Sequence, residues 1–338
     1  MNTSKLRVGV IGFGYWGPNL VRNFAALEDS EVTLIADFSE ERRHLAARAY
    51  PTVPVIASGH ELATSDRVDA VAIATPAASH FELASAAIER GKHVLISKPL
   101  ARNHNEVDRL IALAERHSVV LMVDHTFVYT GAVRKMRELV AAGELGDLYY
   151  YFSTRVNLGL LQDDVNVLWD LAVHDLAILD YLIEEEPRAV QAVSSCSVGR
   201  QEEVATLCVK YSSGFTAHVH VSWLSPVKMR LTTLTGSAKM IVYDDVEPSE
   251  KVKVYDKGVD LAPEDVTTAK PIYRAGDVFI PALDRTEALE TEARHFIDCI
   301  RRDRRPQTGG RSGLRVVRML EAAGESLDAG GNFVPLEV

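Results

Sequence analysis

The sequence predicts an α/β protein in two parts: an N-terminal doubly wound parallel sheet, then a second α/β domain on an open, largely antiparallel sheet. Three observations predict it. Short β-branched runs alternate with amphipathic helical segments from Leu6 to Val123, strands follow strands after about residue 125, and 338 residues exceed the length over which one hydrophobic core usually grows. Continuous apolar strands separated by helices need cover on both faces, the condition of a parallel sheet. Strands that succeed one another suit an open antiparallel sheet with helices on one face. The boundary is expected between 1–125 and 126–338.

In the first part the strands read "LRVGVIG", "EVTLIAD", "VDAVAIAT", "KHVLIS" and "SVVLMVD", separated by segments such as "HFELASAAIER" and "EVDRLIALAERH". The second part opens with a helix over 130–141 and a strand over 148–156, then the helix "LWDLAVHDLAILDYL" over about 167–183. Strands follow in "RAVQAVSSCSV", "VATLCVKYSS", "FTAHVHVSWL" and "MRLTTLTGS". The charged region 244–281 reads as long loops with one extra strand. Helices over about 284–303 and 312–327 flank the breaker "QTGG", and "NFVPLEV" suits a closing edge strand.

Composition bounds the chemistry. The net charge of −10 argues against a nucleic-acid binder, which needs a basic surface to displace counterions from phosphates. A small-molecule partner fits better. No apolar run reaches the roughly 18 residues needed to cross a bilayer, and the N-terminus lacks a signal-peptide core. Cys196, Cys208 and Cys299 show no ligand spacing and read as three small buried hydrophobes in a reducing compartment, so a cytoplasmic protein without a metal is expected.

"VGVIGFGYWGPNL" sets Gly12, Gly14 and Gly17 in G-x-G-x-x-G between a strand and a helix, with Phe13, Tyr15 and Trp16 in the same loop. Such a loop gives a tight turn, lets backbone approach a pyrophosphate and points a helix N-terminus at it. Asp37, 20 residues after Gly17 at the end of the second strand, can accept from adenosine ribose hydroxyls. The same carboxylate repels a 2′-phosphate, so NAD is favoured; Arg42 and Arg43 keep NADP open, since an arginine can neutralise that phosphate.

Lys98, followed by Pro99, stands at the end of the strand "KHVLIS", and strand carboxyl ends face the ligand crevice of an open parallel sheet. Asp170 and His174 stand four apart on one face of an otherwise apolar helix. A helix cap and a satisfied core histidine have the same spacing. An imidazole oriented by a carboxylate is also a tunable proton acceptor. With a lysine to stabilise oxygen as a carbonyl forms, the three residues meet the demands of alcohol oxidation by hydride transfer.

"VGVIGFGYWGPNLVRNF", "AIATPAASHFELASAAIERGKHVLISKPLA", the D-x-x-x-H helix and "TEARHFIDCIRRDRRPQTGG" together resemble the glucose-fructose oxidoreductase, inositol dehydrogenase and MocA family across essentially the whole chain. "GELGDLYYYFSTRVNLGL" followed by "DVNVLWDLAVHDLAIL" is similar to its branch of UDP-N-acetylglucosamine 3-dehydrogenases and other sugar-nucleotide oxidoreductases. The resemblance implies a Rossmann domain, a second domain whose open sheet makes subunit contacts, and a homodimer or homotetramer. It places Lys98 on the lysine of the family's Glu-Lys-Pro motif and Asp170 and His174 on its catalytic pair, with Thr75, Pro76 and His80 lining the cofactor cleft. Ser97 departs from the pattern, standing where the motif has glutamate.

Arg155 and Asn157 are candidates for a substrate phosphate or hydroxyls, though a surface arginine reads the same. His125, after the strand "SVVLMVD", faces the crevice by topology or packs at a strand end. His218 and His220 share a strand face without a third metal ligand. The expected function is an NAD(P)-dependent dehydrogenase or ketoreductase acting on a secondary hydroxyl of a sugar, with C3 of a hexose as the candidate carbon. A non-catalytic dinucleotide sensor on the same fold is the alternative.

Overall fold

The computed structural model describes residues 4–162, 165–261 and 271–336. The chain divides into two compact units, Met1–Tyr129 with Thr286–Arg318, and Thr130–Arg285 with Met319–Val338. The expected cut at 125/126 therefore differs from the observed grouping, in which a C-terminal segment returns to the first unit. The reason is packing: the apolar face of α8 (Ala288–Arg302), with Leu289, Phe296 and Ile297 buried, meets Phe24 of α1 (Gly17–Ala26) and the turn Thr126–Tyr129.

The first unit holds six parallel strands: β1 (Leu6–Ile11), β2 (Ser30–Ala36), β3 (Val55–Ile56), β4 (Ala70–Ile73), β5 (His93–Ser97) and β6 (Leu121–Asp124). Their order is β3-β2-β1-β4-β5-β6. The chain leaves β1 for one side and returns at β4 on the other, so the order reverses there and a crevice opens at the carboxyl ends. Helices α2 (Glu40–Ala49), α3 (Gly59–Ala63), α4 (His80–Glu89) and α5 (His104–His117) complete the crossovers. Every residue of β4 is buried, as a strand covered on both faces requires.

The second unit is a nine-stranded sheet in the order β14-β13-β12-β11-β7-β10-β9-β8-β15. Its strands are β7 (Leu148–Leu158), β8 (Pro187–Ser195), β9 (Val204–Tyr211), β10 (Thr216–Ser222), β11 (Leu224–Gly236), β12 (Met240–Asp244), β13 (Val252–Leu261), β14 (Pro271–Phe279) and β15 (Val334–Pro335). Among the described residues only the β7–β10 pair is parallel. α6 (Gly131–Ala141) and α7 (Val173–Leu182) belong to this unit, with α7 against β7 and β10; α9 (Gly310–Asp328) contains the division between units.

The expected loops of 244–281 are corrected by the β13–β14 hairpin, apart from 262–270, which lie outside the described residues. β13 does alternate at its start, with Val252 and Val254 buried around Lys253, but β14 is exposed along nearly its whole length. An edge strand that covers no core carries no apolar rhythm, so its register comes from backbone pairing alone. The cysteines also differ from expectation: Cys299 is buried, Cys208 half-buried on β9, and Cys196 exposed after β8.

Candidate active site

The glycine loop lies between β1 and α1, at the point where the strand order reverses. Gly12 has φ +94°, and a Cβ there would lie 2.6 Å from the Ala74 carbonyl oxygen. A Cβ on Gly17 would lie 1.9 Å from the Gly12 carbonyl oxygen, so the loop closes on itself only with glycine. A Cβ on Gly14 would meet no atom of the described residues within 4 Å, which leaves room for a ligand to approach the backbone. Trp16 occupies the cap position of α1 without a side-chain cap bond, and the first turn has no acidic residue. Neither a capping side chain nor an acidic residue therefore competes with an anion at this helix N-terminus. These features fit a dinucleotide pyrophosphate.

Asp37 is buried at the end of β2 and does two jobs with its carboxylate. Oδ2 accepts from the Phe13 amide at 2.6 Å and Oδ1 from the Ser39 amide at 2.8 Å, tying the glycine loop to β2. Arg43 donates to the carbonyl oxygens of Asp37 and Phe38 at 3.0 and 2.8 Å, so its guanidinium secures the backbone of this turn. Tyr15 in the loop and Phe38 beside Asp37 are exposed aromatics. Sequence reading missed Phe38, although its place after the ribose-type carboxylate was a usable signal.

His80 joins the ends of β4 and β5. Its Nδ1 lies 2.9 Å from the Pro99 carbonyl and its Nε2 2.8 Å from that of Thr75. Burial lowers its pKa although both carbonyls favour the cation. His80 thus clips the Thr75–Pro76 turn to the segment after Lys98, whose peptide bond to Pro99 is cis. Thr75 is half-buried and Pro76 exposed at this turn. Ser97 directs its hydroxyl to His80 Nε2 at 3.4 Å, and Lys98 is half-buried. His125 is buried, its ring nitrogens have no hydrogen-bond partner among the described residues, and burial together with the Lys98 charge pushes its pKa down to about 3. It is a neutral imidazole beside an ammonium. A separate cavity of about 770 Å³, lined by His93, Leu121, Arg304 and Arg311, lies at the amino ends of β5 and β6, away from this crevice.

In the second unit the expected catalytic helix begins as a π-turn, Leu168–Ala172, before continuing as α7. Asn166 Oδ1 caps it, accepting from the amides of Leu168 and Trp169 at 3.2 and 3.3 Å. Periodicity shows no such widening, which is a frequent feature of functional sites. Asp170 and His174 are half-buried rather than sealed in the core, and Asp170 Oδ2 accepts the Trp223 indole N–H at 3.0 Å. Trp223, on the link from β10 to β11, was not singled out in the sequence.

Arg155 is corrected from its expected place at a substrate phosphate. It is buried, and its Nε donates to Asp175 Oδ2 at 2.6 Å, so its charge serves the packing of β7 under α7. Burial would lower the Arg155 pKa, but the Asp175 charge and hydrogen bond leave it raised. Asn157 follows on the same strand face and is half-buried. His218 and His220 share a face of β10; His220 Nδ1 meets Thr206 Oγ1 at 2.9 Å, and no group of three or more metal-type ligands occurs among the described residues.

Residues 6–125 match the model of an oxidoreductase family with an NAD-binding Rossmann fold, and residues 133–242 match the GFO/IDH/MocA C-terminal domain. The chain belongs to the GFO/IDH/MocA oxidoreductase family. The family model and the glycine loop agree on NAD as the cofactor. UDP-N-acetylglucosamine 3-dehydrogenase of Acidithiobacillus ferrooxidans is 26% identical over 327 residues, covering 92% of this chain and 94% of that protein. Its solved structure has a TM-score of 0.82 at 26% identity, covering 96% of this chain and 98% of the other. D-apiose dehydrogenase of Paraburkholderia graminis is 25% identical, over 94% and 86% of the two chains. The fold is also that of GenD2 from gentamicin A biosynthesis, solved with NAD, at TM-score 0.84, 22% identity and coverage of 99% and 97%. Among the described residues no helix is long and apolar enough to cross a membrane.

Proposed function

We propose that this family member transfers a hydride between NAD and a secondary hydroxyl or ketone of a sugar, with C3 of a nucleotide-linked hexose as the reacting carbon. The observation that carries the reading is the Asp170–His174 pair on the half-buried face of the π-to-α helix. In the oxidative direction His174 takes the hydroxyl proton, Asp170 orients the imidazole, and the Lys98 ammonium stabilises the substrate oxygen as the carbonyl forms. The nicotinamide, when bound, accepts the hydride. Asn157 supplies a further polar contact to the sugar, whereas His125 is corrected from its expected place there, since both of its ring nitrogens are sealed beneath the surface as at a packed strand end. Relatives named as acting at C3 of UDP-N-acetylglucosamine and of a dTDP-hexose support the choice of carbon. Asp37 and the engagement of Arg43 with backbone carbonyls support NAD over NADP.

The test mixes protein and NAD with a panel of sugars and sugar nucleotides and follows reduced-nicotinamide absorbance. Turnover with a nucleotide-linked hexose is expected, and His174→Ala or Lys98→Met should lower kcat by about 10²–10⁴-fold with the fold intact. Near-normal turnover in both variants rejects the roles. Tight NAD binding with silence across the panel favours the sensor reading.

We also propose a homo-oligomer formed through the sheet face opposite α7. Tyr150, Phe152, Val193 and Val278 are exposed on that face by register. Light scattering should give a dimer or tetramer that Phe152→Glu weakens; a monomeric wild type refutes this.

A further inference from the structure

Beneath the glycine loop lies a polar cluster that the reaction scheme does not use. Asp124 ends β6 at 3% exposure, paired in register with Ser97, the position that lacks the family's glutamate. Its Oδ2 accepts the indole N–H of Trp16, and its Oδ1 accepts the hydroxyl of Thr126. Glu292 of α8 brings a second carboxyl to the same place and is wholly buried.

Neither oxygen of Glu292 has a well-formed donor among the described residues, and the His125 amide facing it already donates to the Val123 carbonyl at 2.9 Å. The groups that act on Glu292 are Asp124 and that amide; Tyr129, bonded to Thr308 Oγ1 at 2.9 Å, is the other ionisable neighbour. Burial first, and then the Asp124 charge and hydrogen bond, push the Glu292 carboxyl well above the usual range. Glu292, wholly buried with neither oxygen given a donor among the described residues, therefore keeps its proton and can donate it in a hydrogen bond.

We propose that Glu292 is a positioning residue for the dinucleotide site: it donates a proton-mediated hydrogen bond to Asp124, which holds Trp16 and therefore the glycine loop ready for the pyrophosphate. The carboxylate absent at Ser97 is thus replaced by one on the neighbouring strand, directed at the loop. The pair belongs to the binding machinery by leverage, through an indole at the N-terminus of α1, and touches no reacting atom. This reading rests on NAD binding and is independent of the sugar.

Calorimetric titration of NAD into the full-length protein and its variants tests it. Glu292→Leu keeps volume and removes the donor, so NAD affinity should fall about ten-fold. Glu292→Gln retains a donor and should restore affinity to within about three-fold of wild type. Trp16→Phe should weaken NAD to the same degree as Glu292→Leu, and the double variant should be little worse than either single one, because both break one chain of contacts. A purely structural Glu292 would lower Tm in all its variants while leaving NAD affinity unchanged. Wild-type affinity in folded Glu292→Leu overturns the proposal. Should that variant not fold, wild-type affinity in Trp16→Phe overturns it as well.

Discussion

Replacing Asp175 by alanine removes the carboxylate from a guanidinium sealed between β7 and α7. The two side chains are 5% and 3% exposed, with Nε 2.6 Å from Oδ2 and a second contact, NH2 to Oδ1, at 3.5 Å. Arginine cannot escape by losing its proton at ordinary pH, and at this burial it cannot recover its hydration. Removing one partner of such a pair costs about 3–5 kcal/mol. For a unit of this size that is a fall in Tm of about 10 °C. The companion variant, Arg155→Met with Asp175→Leu, removes both charges at similar volume and should be neutral or stabilising by about 1–4 kcal/mol. Urea and thermal melts of the wild type and both variants measure the difference. Equal losses in the two variants, or a loss below about 1 kcal/mol in Asp175→Ala, would refute the reasoning. A rise in KM for a phosphorylated substrate, with stability unchanged in the double variant, would return Arg155 to substrate binding.

Other consequences are as specific. Gly14→Ala should weaken NAD binding with little change in Tm, because the new methyl meets no atom of the described residues within 4 Å; Gly17→Ala should lower Tm, because its methyl would meet the Gly12 carbonyl at 1.9 Å. Equal Tm values for the two variants would count against the loop geometry. The wild type should prefer NAD to NADP in kcat/KM, and Asp37→Ser should narrow that preference while also loosening the Phe13 amide; an unchanged ratio would remove Asp37 from cofactor selection. His125 has its pKa pushed down to about 3 by burial and then by Lys98, against an ordinary 6.5 in the unfolded chain. The unfolded state thus takes a proton that the folded state refuses. Stability from this group is complete above the unfolded value and declines as pH falls from about 6.5 towards 3, at up to about 1.4 kcal/mol per pH unit. His125→Gln should flatten that part of the acid-stability curve, and coincident curves would show that His125 is not a neutral buried group.

The sequence by itself determined the doubly wound unit, because a sheet buried on both faces writes its strands as unbroken apolar runs, and because Gly12, Gly14 and Gly17 meet a local steric demand that only glycine satisfies. It also placed Asp170 and His174 on one helix face, a matter of local spacing. Tertiary structure decided what depends on partners distant in the chain. Arg155 reads as a substrate ligand until Asp175 is seen beside it, and Glu292 reads as one more helix glutamate until α8 packs it against Asp124. The β13–β14 hairpin was likewise hidden, since an edge strand is fixed by backbone pairing and leaves no hydrophobic period to read. Patterning records which face of an element is buried; it does not record which charge on another element will meet it there.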